Sequence, residues 1–322
     1  MNVLITGATG FIGKHLTAAL SEIHSVRCLV RKTSDVKELR DLNVDLVYGD
    51  LLEKNSLAPA LDKIDLVYHL AGEVYSRKKE DYYRGNVLAT QNLLEACEGK
   101  GAKRIIFLSS IGVYKPAPQE TLLTEESECL PITWYGRTKL NAEGLIKKCK
   151  IPWVIVRAPI IYGPHQPSVV NRIFLDAFNK RRIYIVGKGD NSRSLCFIGN
   201  LVDGLTLLAS KPDTNGKTYV LSDNSPYTFD QIITTISVAI GQKIKVVHLP
   251  SFLGAISWQI YNLMGTLFNL YFIELYAIKT MQLNWGCDIT KVKKEIGYNP
   301  KVTLEMGIKS TIDWIRNICA RG

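Results

Sequence analysis

A tyrosine followed four residues later by a lysine is the pattern in this 322-residue chain best suited to proton transfer. On a helix that spacing puts both side chains on one face. An ammonium there favours phenolate over phenol, lowering a pKa that is about 10 when unperturbed. Such a tyrosine can exchange a proton with a substrate hydroxyl near neutral pH. The pattern occurs at Tyr75/Lys79, Tyr135/Lys139 and Tyr184/Lys188. With 15 tyrosines in a lysine-rich chain, about one such pair arises by chance, so context must choose among them. Tyr184/Lys188 lies in "RIYIVGKG", strand-like and ending in glycines, where the two would not share a helix face. Tyr75/Lys79 sits in a charged loop. Tyr135/Lys139 opens "YGRTKLNAEGLIKKC", which reads as a helix.

A second chemistry-bearing stretch opens the chain. In "NVLITGATGFIGKHL" an apolar run is followed by Gly7, Gly10 and Gly13 and then by a helix-like pattern. Without side chains, a strand-to-helix turn lets backbone N–H groups approach a pyrophosphate, and the helix N-terminus adds partial positive charge. Gly13 would let the helix pack closely on the strand. The spacing, G-x-x-G-x-x-G after Thr6, departs from the G-x-G-x-x-G of the common dinucleotide fingerprint.

The elements that must position these groups alternate. Strands are expected at Asn2–Thr6, Val26–Val30, Leu46–Tyr48, Leu66–Leu70, Ile105–Leu108 and Trp153–Val156, with helical stretches such as Asn86–Cys97 between them. Nearly all-apolar strands alternating with helices imply an α/β fold with a parallel, doubly wound sheet covered on both faces. The alternation weakens at "IYGPHQP" (161–167). A first domain over 1–163 is therefore expected, with 193–199 and 217–222 returning to it. A smaller C-terminal substrate-binding lobe is expected from 164–188 and 223–322.

These segments resemble the extended short-chain dehydrogenase/reductases, the NAD(P)-dependent epimerase/dehydratase group that includes nucleotide-sugar epimerases and 4-keto-sugar reductases. "TGATGFIG" resembles their cofactor loop, which implies cofactor contacts at Gly7, Gly10, Phe11, Ile12 and Gly13 on a Rossmann fold. "YGDLLEKNSL" resembles the segment that touches adenine, implying Asp50 and Leu51. "HLAGE" resembles the end of the fourth strand, implying Leu70, Ala71 and Gly72. In "RIIFLSSIGVYKP" the resemblance puts Ser110 on the substrate oxygen that Tyr135 protonates or deprotonates, and Ser109 on the cofactor. Lys115 stands where the group has a glycine. Lys139 and Tyr135 would also meet the cofactor, as would Pro159 of "VRAPIIYGP". "GKGDNSRSLCFIGNLVDGL" and "SVVNRIF" resemble the substrate segments, implying Arg193 on a diphosphate and Asn171 on phosphate or sugar. The resemblance further implies a homodimer. An acid at the end of the second strand selects NAD by binding the ribose 2′-OH. Arg31 and Lys32 stand there instead, and a guanidinium can pair bidentately with a 2′-phosphate. NADP is the favoured cofactor and NAD the alternative.

Composition narrows the partners. The net charge is +10, which suits an anionic ligand. The basic residues come in small scattered groups with no aromatic-interleaved stripe, so nucleic acid is not expected. The 7 cysteines are an odd count without metal spacing, which points to free thiols, no metal site and a cytoplasmic setting. Val246 to Ile273 contains no charged residue. Its polar interruptions favour one or two amphipathic or buried helices over a lobe touching a membrane surface, and disfavour a spanning helix most. The expected activity is epimerisation or 4-keto reduction at C4 of a nucleoside-diphosphate sugar, UDP-linked by preference. A dehydratase is disfavoured, because Ile111 and Gly112 follow Ser110 where that subgroup carries an Asp-Glu pair. The alternatives are a reductase of a hydrophobic alcohol or ketone, as in the hydroxysteroid and flavonol branches, and a non-catalytic cofactor-binding protein.

Overall fold

Seven parallel strands form the main sheet, in the order β10-β6-β5-β4-β1-β2-β3. The computed structural model describes residues 1–118, 121–166 and 169–319, leaving aside the side chains of 169–173. The strands are β1 (Asn2–Thr6), β2 (Ser25–Val30), β3 (Val44–Tyr48), β4 (Leu66–His69), β5 (Arg104–Ser110), β6 (Trp153–Ala158) and β10 (Lys217–Val220). Helices α1 (Phe11–Ser21), α2 (Lys37–Arg40), α3 (Lys79–Tyr82), α4 (Ala89–Lys100), α5 (Trp134–Lys148), α6 (Val169–Lys180) and α7 (Ile198–Ala209) occupy the intervening segments. Buried branched residues such as Val3, Leu4, Ile5, Val154, Ile155 and Val156 make the strands. They are covered on both faces, so their sequence reads as continuously apolar. One face packs with Leu16, Leu20, Leu201 and Leu205. The other packs with Leu93, Leu94, Ala142 and Ile146.

The chain runs from β1 outward to β3 and returns to β4 on the other side of β1, with Thr6 in register with both Leu29 and His69. The reversal between β1 and β4 opens a crevice at the carboxyl ends of the strands, where open α/β sheets bind ligands.

The remaining residues build the second lobe. Strand β8 (Arg182–Val186) pairs with β11 (Lys245–Leu249), and β7 (Ile160–Tyr162) pairs with β9 (Leu195–Phe197). Helices α8 (Phe229–Ile240), α9 (Phe252–Phe268), α10 (Ile273–Thr280) and α12 (Leu304–Cys319) complete it, whereas α11 (Thr290–Ile296) returns to the main core with Val292 and Ile296. Ile183, Ile185, Ile233, Ile236, Ile308 and Ile312 form its core.

Two details differ from the sequence reading. Leu195–Phe197 does not rejoin the main sheet, because β7 takes it as a partner; only Lys217–Val220 returns, beside β6. The expected helix at Asn86 begins instead as a π-helical stretch, Tyr83–Leu88, before α4 starts at Ala89. The uncharged segment resolves into β11, α9 and the start of α10. Among the described residues no helix is long and apolar enough to cross a membrane.

Candidate active site

The glycine turn is built by close approach. Gly7 has φ +75°, and a Cβ there would lie 2.7 Å from the backbone nitrogen of Ala71. A Cβ on Gly13 would lie 2.1 Å from the carbonyl oxygen of Gly7, so α1 packs directly against the turn. Gly10 caps α1 with no side-chain hydrogen bond, and the first turn holds no acid. The first N–H groups of α1 therefore point at the crevice with its favourable dipole for a phosphate. Phe11 and Ile12 are half-buried against the core. Beyond β2, Arg31 is exposed, and its guanidinium has no hydrogen bond or ion pair among the described residues. The Asp50 carboxylate accepts from Leu52 N–H and holds its own loop, while the Leu51 carbonyl accepts from Asn92.

A second close approach places the tyrosine. Thr133 caps α5 by accepting from Gly136 N–H. A Cβ on Gly136 would lie 2.1 Å from the Gly112 carbonyl oxygen, so the first turn of α5 rides on the turn after β5. The Tyr135 hydroxyl faces that of Ser110, whose hydrogen-bonding influence acts to lower the phenol's pKa. The Ser110 oxygen also accepts from Gly112 N–H at 3.1 Å. One helical turn on, the buried Lys139 ammonium donates to the Leu108 carbonyl at 2.8 Å and lies 4.7 Å above the Phe107 ring. A Cβ on Gly72 would lie 3.1 Å from Lys139 Nζ and 2.7 Å from Asn86 Oδ1. Gly7 against Ala71, and Gly72 against Lys139, put the glycine turn and the Tyr135/Lys139 pair in one crevice.

The floor of that crevice is neutral. His69 bridges Thr6 Oγ1 at 2.8 Å and Thr90 Oγ1 at 2.9 Å, and burial pushes its pKa down to about 3. Thr90 spends its own proton on the Asn86 carbonyl, so the network assigns the histidine hydrogen to Nε2. Burial also sets the two reactive groups. Tyr135 is pushed up to about 12, with the Ser110 hydrogen bond pulling the other way. Lys139 is pushed down to about 8. The expected lowering of the phenol by Lys139 is therefore not a property of the free chain, where the ammonium is turned onto Leu108 and the phenol keeps its proton.

The lysine has a measurable cost. Charging it below pH 8 opposes folding by about 3 kcal/mol, from the shift between 10.5 and about 8. Replacing it frees that term but leaves the Leu108 carbonyl without its donor, a loss of about 1–3 kcal/mol. Lys139→Met in cofactor-stripped protein is thus expected to be as stable as the parent, or more so, at pH 7. As pH rises from 8 toward 10.5 the unfolded parent holds more protons than the folded one, so parental stability climbs and the variant's advantage shrinks. Urea denaturation at pH 7 and pH 10 checks both signs; a several-kcal/mol loss at pH 7 would refute the placement.

Across the crevice stands Arg193, held by reciprocal backbone hydrogen bonds with Tyr227 at 2.9 and 2.7 Å. Its guanidinium is buried, donates to the Thr280 carbonyl at 2.8 Å and lies 4.5 Å above the Phe229 ring. Its Nε has no partner, no carboxylate of the described residues pairs with it, and burial lowers its pKa to about 10. The Tyr276 hydroxyl is within electrostatic reach of both Arg193 and Tyr135. A buried cation without a counter-ion is costly unless an anion arrives.

Other expected residues fare differently. Ser109 donates to Glu143 at 2.6 Å, within a buried pair that Arg157 completes, so its hydroxyl proton is committed to the interior. Pro159 is buried between β6 and β7. Leu70 and Ala71 are half-buried beside the turn. Asn171 lies on α6, outside the described side chains. Sequence reasoning missed Asn86, whose amide accepts from Glu73 N–H and donates to Glu73 O and Thr138 Oγ1. A polar residue on the apolar face of a helical run was the available signal. Tyr276 gave none.

The fold and the site define a dinucleotide-binding protein: the turn leaves room only for backbone, and the exposed N–H groups suit a pyrophosphate. The chain belongs to the NAD dependent epimerase/dehydratase family, whose model matches residues 3–222. It is 30% identical to an uncharacterized protein of Sinorhizobium fredii over 97% of this chain and 94% of that one. It is 26% identical to the N-acetyl-alpha-D-glucosaminyl-diphospho-ditrans,octacis-undecaprenol 4-epimerase of Escherichia coli O157:H7, over 97% and 95%. The crystal structure of UDP-glucuronic acid 4-epimerase from Bacillus cereus with UDP-glucuronic acid and NAD superposes with a TM-score of 0.80 at 25% identity, covering 99% of this chain and 100% of that one.

Proposed function

We propose that this chain is an NAD(P)-dependent enzyme acting at C4 of a nucleoside-diphosphate sugar, by epimerisation or 4-keto reduction. The observation that carries the reading is the buried Arg193 guanidinium, which has no counter-ion among the described residues and shares the neighbour Tyr276 with Tyr135. A diphosphate supplies the missing charge and can be gripped bidentately. The similar Bacillus cereus enzyme, named for a UDP-sugar and solved with NAD, agrees with that chemistry.

Gly7, Gly10, Phe11, Ile12 and Gly13 would hold the pyrophosphate end of the dinucleotide. Leu70, Ala71, Gly72 and Lys139 would line its reactive end, and Asp50 and Leu51 its adenine. Arg31, free and exposed, favours a 2′-phosphate and therefore NADP. When bound, the dinucleotide accepts or supplies hydride at the sugar carbon. Tyr135 handles the matching proton: in oxidation its oxygen takes the proton of the 4-hydroxyl as the C–H bond breaks and C=O forms, and in reduction it returns that proton. Ser110 orients the same oxygen by hydrogen bonding. The protonated phenol of the free chain is the form that reduction requires.

A second reading, a diphosphosugar carried on a polyprenol, has an observation in its favour. The similar Escherichia coli enzyme is named for such a substrate, and helix α9 beside the site exposes apolar side chains. Arg193→Met distinguishes both from a sterol or flavonol reductase. The variant is expected to raise KM for UDP-sugars by about 10²-fold or more, the scale of a lost charge-assisted contact, with little change in dinucleotide affinity. Running the assay with NADH and NADPH tests Arg31 in the same experiment. Undiminished affinity for every diphosphosugar, or turnover of sterols alone, sinks the proposal.

A further inference from the structure

Helix α9 wears its apolar residues outside. Phe252, Ile256, Ile260, Leu263 and Leu267 are 42–63% exposed. Their spacing of four, four, three and four residues puts them in one stripe about 80° wide at 3.6 residues per turn. Gly254, Ser257, Tyr261 and Gly265 on the opposite side are buried. Tyr261 there packs on Tyr271 and Tyr276 at 5.5 and 6.2 Å, so the inner face of α9 is held by an aromatic cluster. Phe268 at the end of the helix is 62% exposed. The helix has no charged residue at all. Such a stripe is on the order of several hundred Å², large enough on a single chain to mark an interaction site. It is smaller than the roughly 800 Å² per partner of a stable protein interface.

The surroundings select the occupant. The loop carrying Arg77, Lys78 and Lys79, all exposed, docks at the C-terminal end of α9, where Tyr271 N–H donates to the Arg77 carbonyl and the Arg77 guanidinium lies 5.1 Å above the Phe272 ring. Glu80 and Asp81 follow the triad as exposed acids, Glu80 held ionised by the hydrogen bond from Asn269 and Asp81 accepting from Ser76, so the local charge is mixed and the positive excess is that of the whole chain. Glu274 lines the same open groove as Arg77, Ile260, Met264, Phe272 and Leu275. An uncharged apolar stripe reached by three exposed cations, on a chain whose net charge is +10, is complementary to an anionic bilayer surface. We propose that α9 lies in the plane of such a surface, with its stripe among the acyl chains and Arg77, Lys78 and Lys79 at the headgroups. At 17 residues the helix rests on the bilayer and does not span it. The proposal is independent of which sugar the enzyme takes.

Flotation of the full chain with phosphatidylglycerol–phosphatidylcholine vesicles, against pure phosphatidylcholine, tests it. The parent is expected to float with the anionic vesicles and to detach as salt rises. Leu263→Glu/Leu267→Glu is expected to cut the bound fraction at least tenfold, with an unchanged thermal melt and unchanged turnover of a water-soluble UDP-sugar. Val238→Glu, at a still more exposed apolar residue on α8, is the control and is expected to bind as the parent does. Absence of parental flotation overturns the proposal. So does equal binding by the stripe variant. A stripe variant that changes only the oligomeric state by light scattering also overturns it, and assigns the face to a second copy of the chain.

Discussion

Tyr135→Phe is expected to lower turnover about 10²–10⁴-fold, the range that a positioned proton carrier contributes. The substitution removes one oxygen and keeps the ring, which lies 6.5 Å from the ring of Tyr82 in the wall of the crevice. The fold is expected to survive, because the lost hydroxyl's neighbour Ser110 keeps its own bond from Gly112 N–H. Dinucleotide affinity is expected to hold, since the glycine turn and Gly72 reach the crevice from the other side. Single-turnover rates together with dinucleotide titration check both halves. A variant that turns over its diphosphosugar at the parental rate would place the proton carrier elsewhere.

The largest effect on stability is expected from Glu143→Ala. Glu143 is fully buried on α5 and meets Arg157 through two hydrogen bonds, at 2.9 and 2.6 Å. It also accepts from Ser109 at 2.6 Å. Removing the carboxylate leaves the buried guanidinium without its counter-charge and the serine without an acceptor. Breaking a buried pair from one side costs about 3–5 kcal/mol. The remaining contacts of Arg157, with the Glu125 carbonyl at 3.3 Å and the Tyr114 ring at 4.6 Å, do not replace a carboxylate. The double variant Glu143→Met/Arg157→Met is expected to recover much of the loss, because no charge is then stranded. Equilibrium urea unfolding of the two variants measures the difference. Equal losses would mean that volume, not charge, holds β5, β6 and α5 together.

The readable part of this fold is the part governed by local pattern. Strands β1, β5 and β6 are buried on both faces and declare themselves as runs of Val, Ile and Leu. Gly7 and Gly13 announce a close approach because no other residue tolerates it. Tyr135 and Lys139 emerge from three similar pairs because only theirs lies on a long helix. What stays hidden depends on groups distant in sequence. The protonation of Tyr135 and Lys139 is set by burial under β4 and β5, not by their spacing. The isolation of Arg193 is made by Tyr227, Thr280 and Phe229. The committed Ser109 and the available Ser110 are adjacent, and only the position of Glu143 tells them apart. The π-helical stretch that brings Asn86 to Gly72 leaves no local signature, since its composition suits an ordinary helix.

Strand β10 arrives from residue 217 to finish a sheet whose other six members end by residue 158. Helix α7, equally late, lays Leu201, Leu205 and Leu208 on the same core as Leu16 and Leu20 of α1. A fragment cut after residue 163 would carry the complete glycine turn and all of Ser110, Tyr135 and Lys139, yet it would bare the flank of β6 and one apolar side of the sheet. Unpaired flanks of that kind recruit other chains. The cofactor half therefore cannot be detached as a self-sufficient module: the chain must be synthesised well past Ser110, Tyr135 and Lys139 before the sheet that holds them can close.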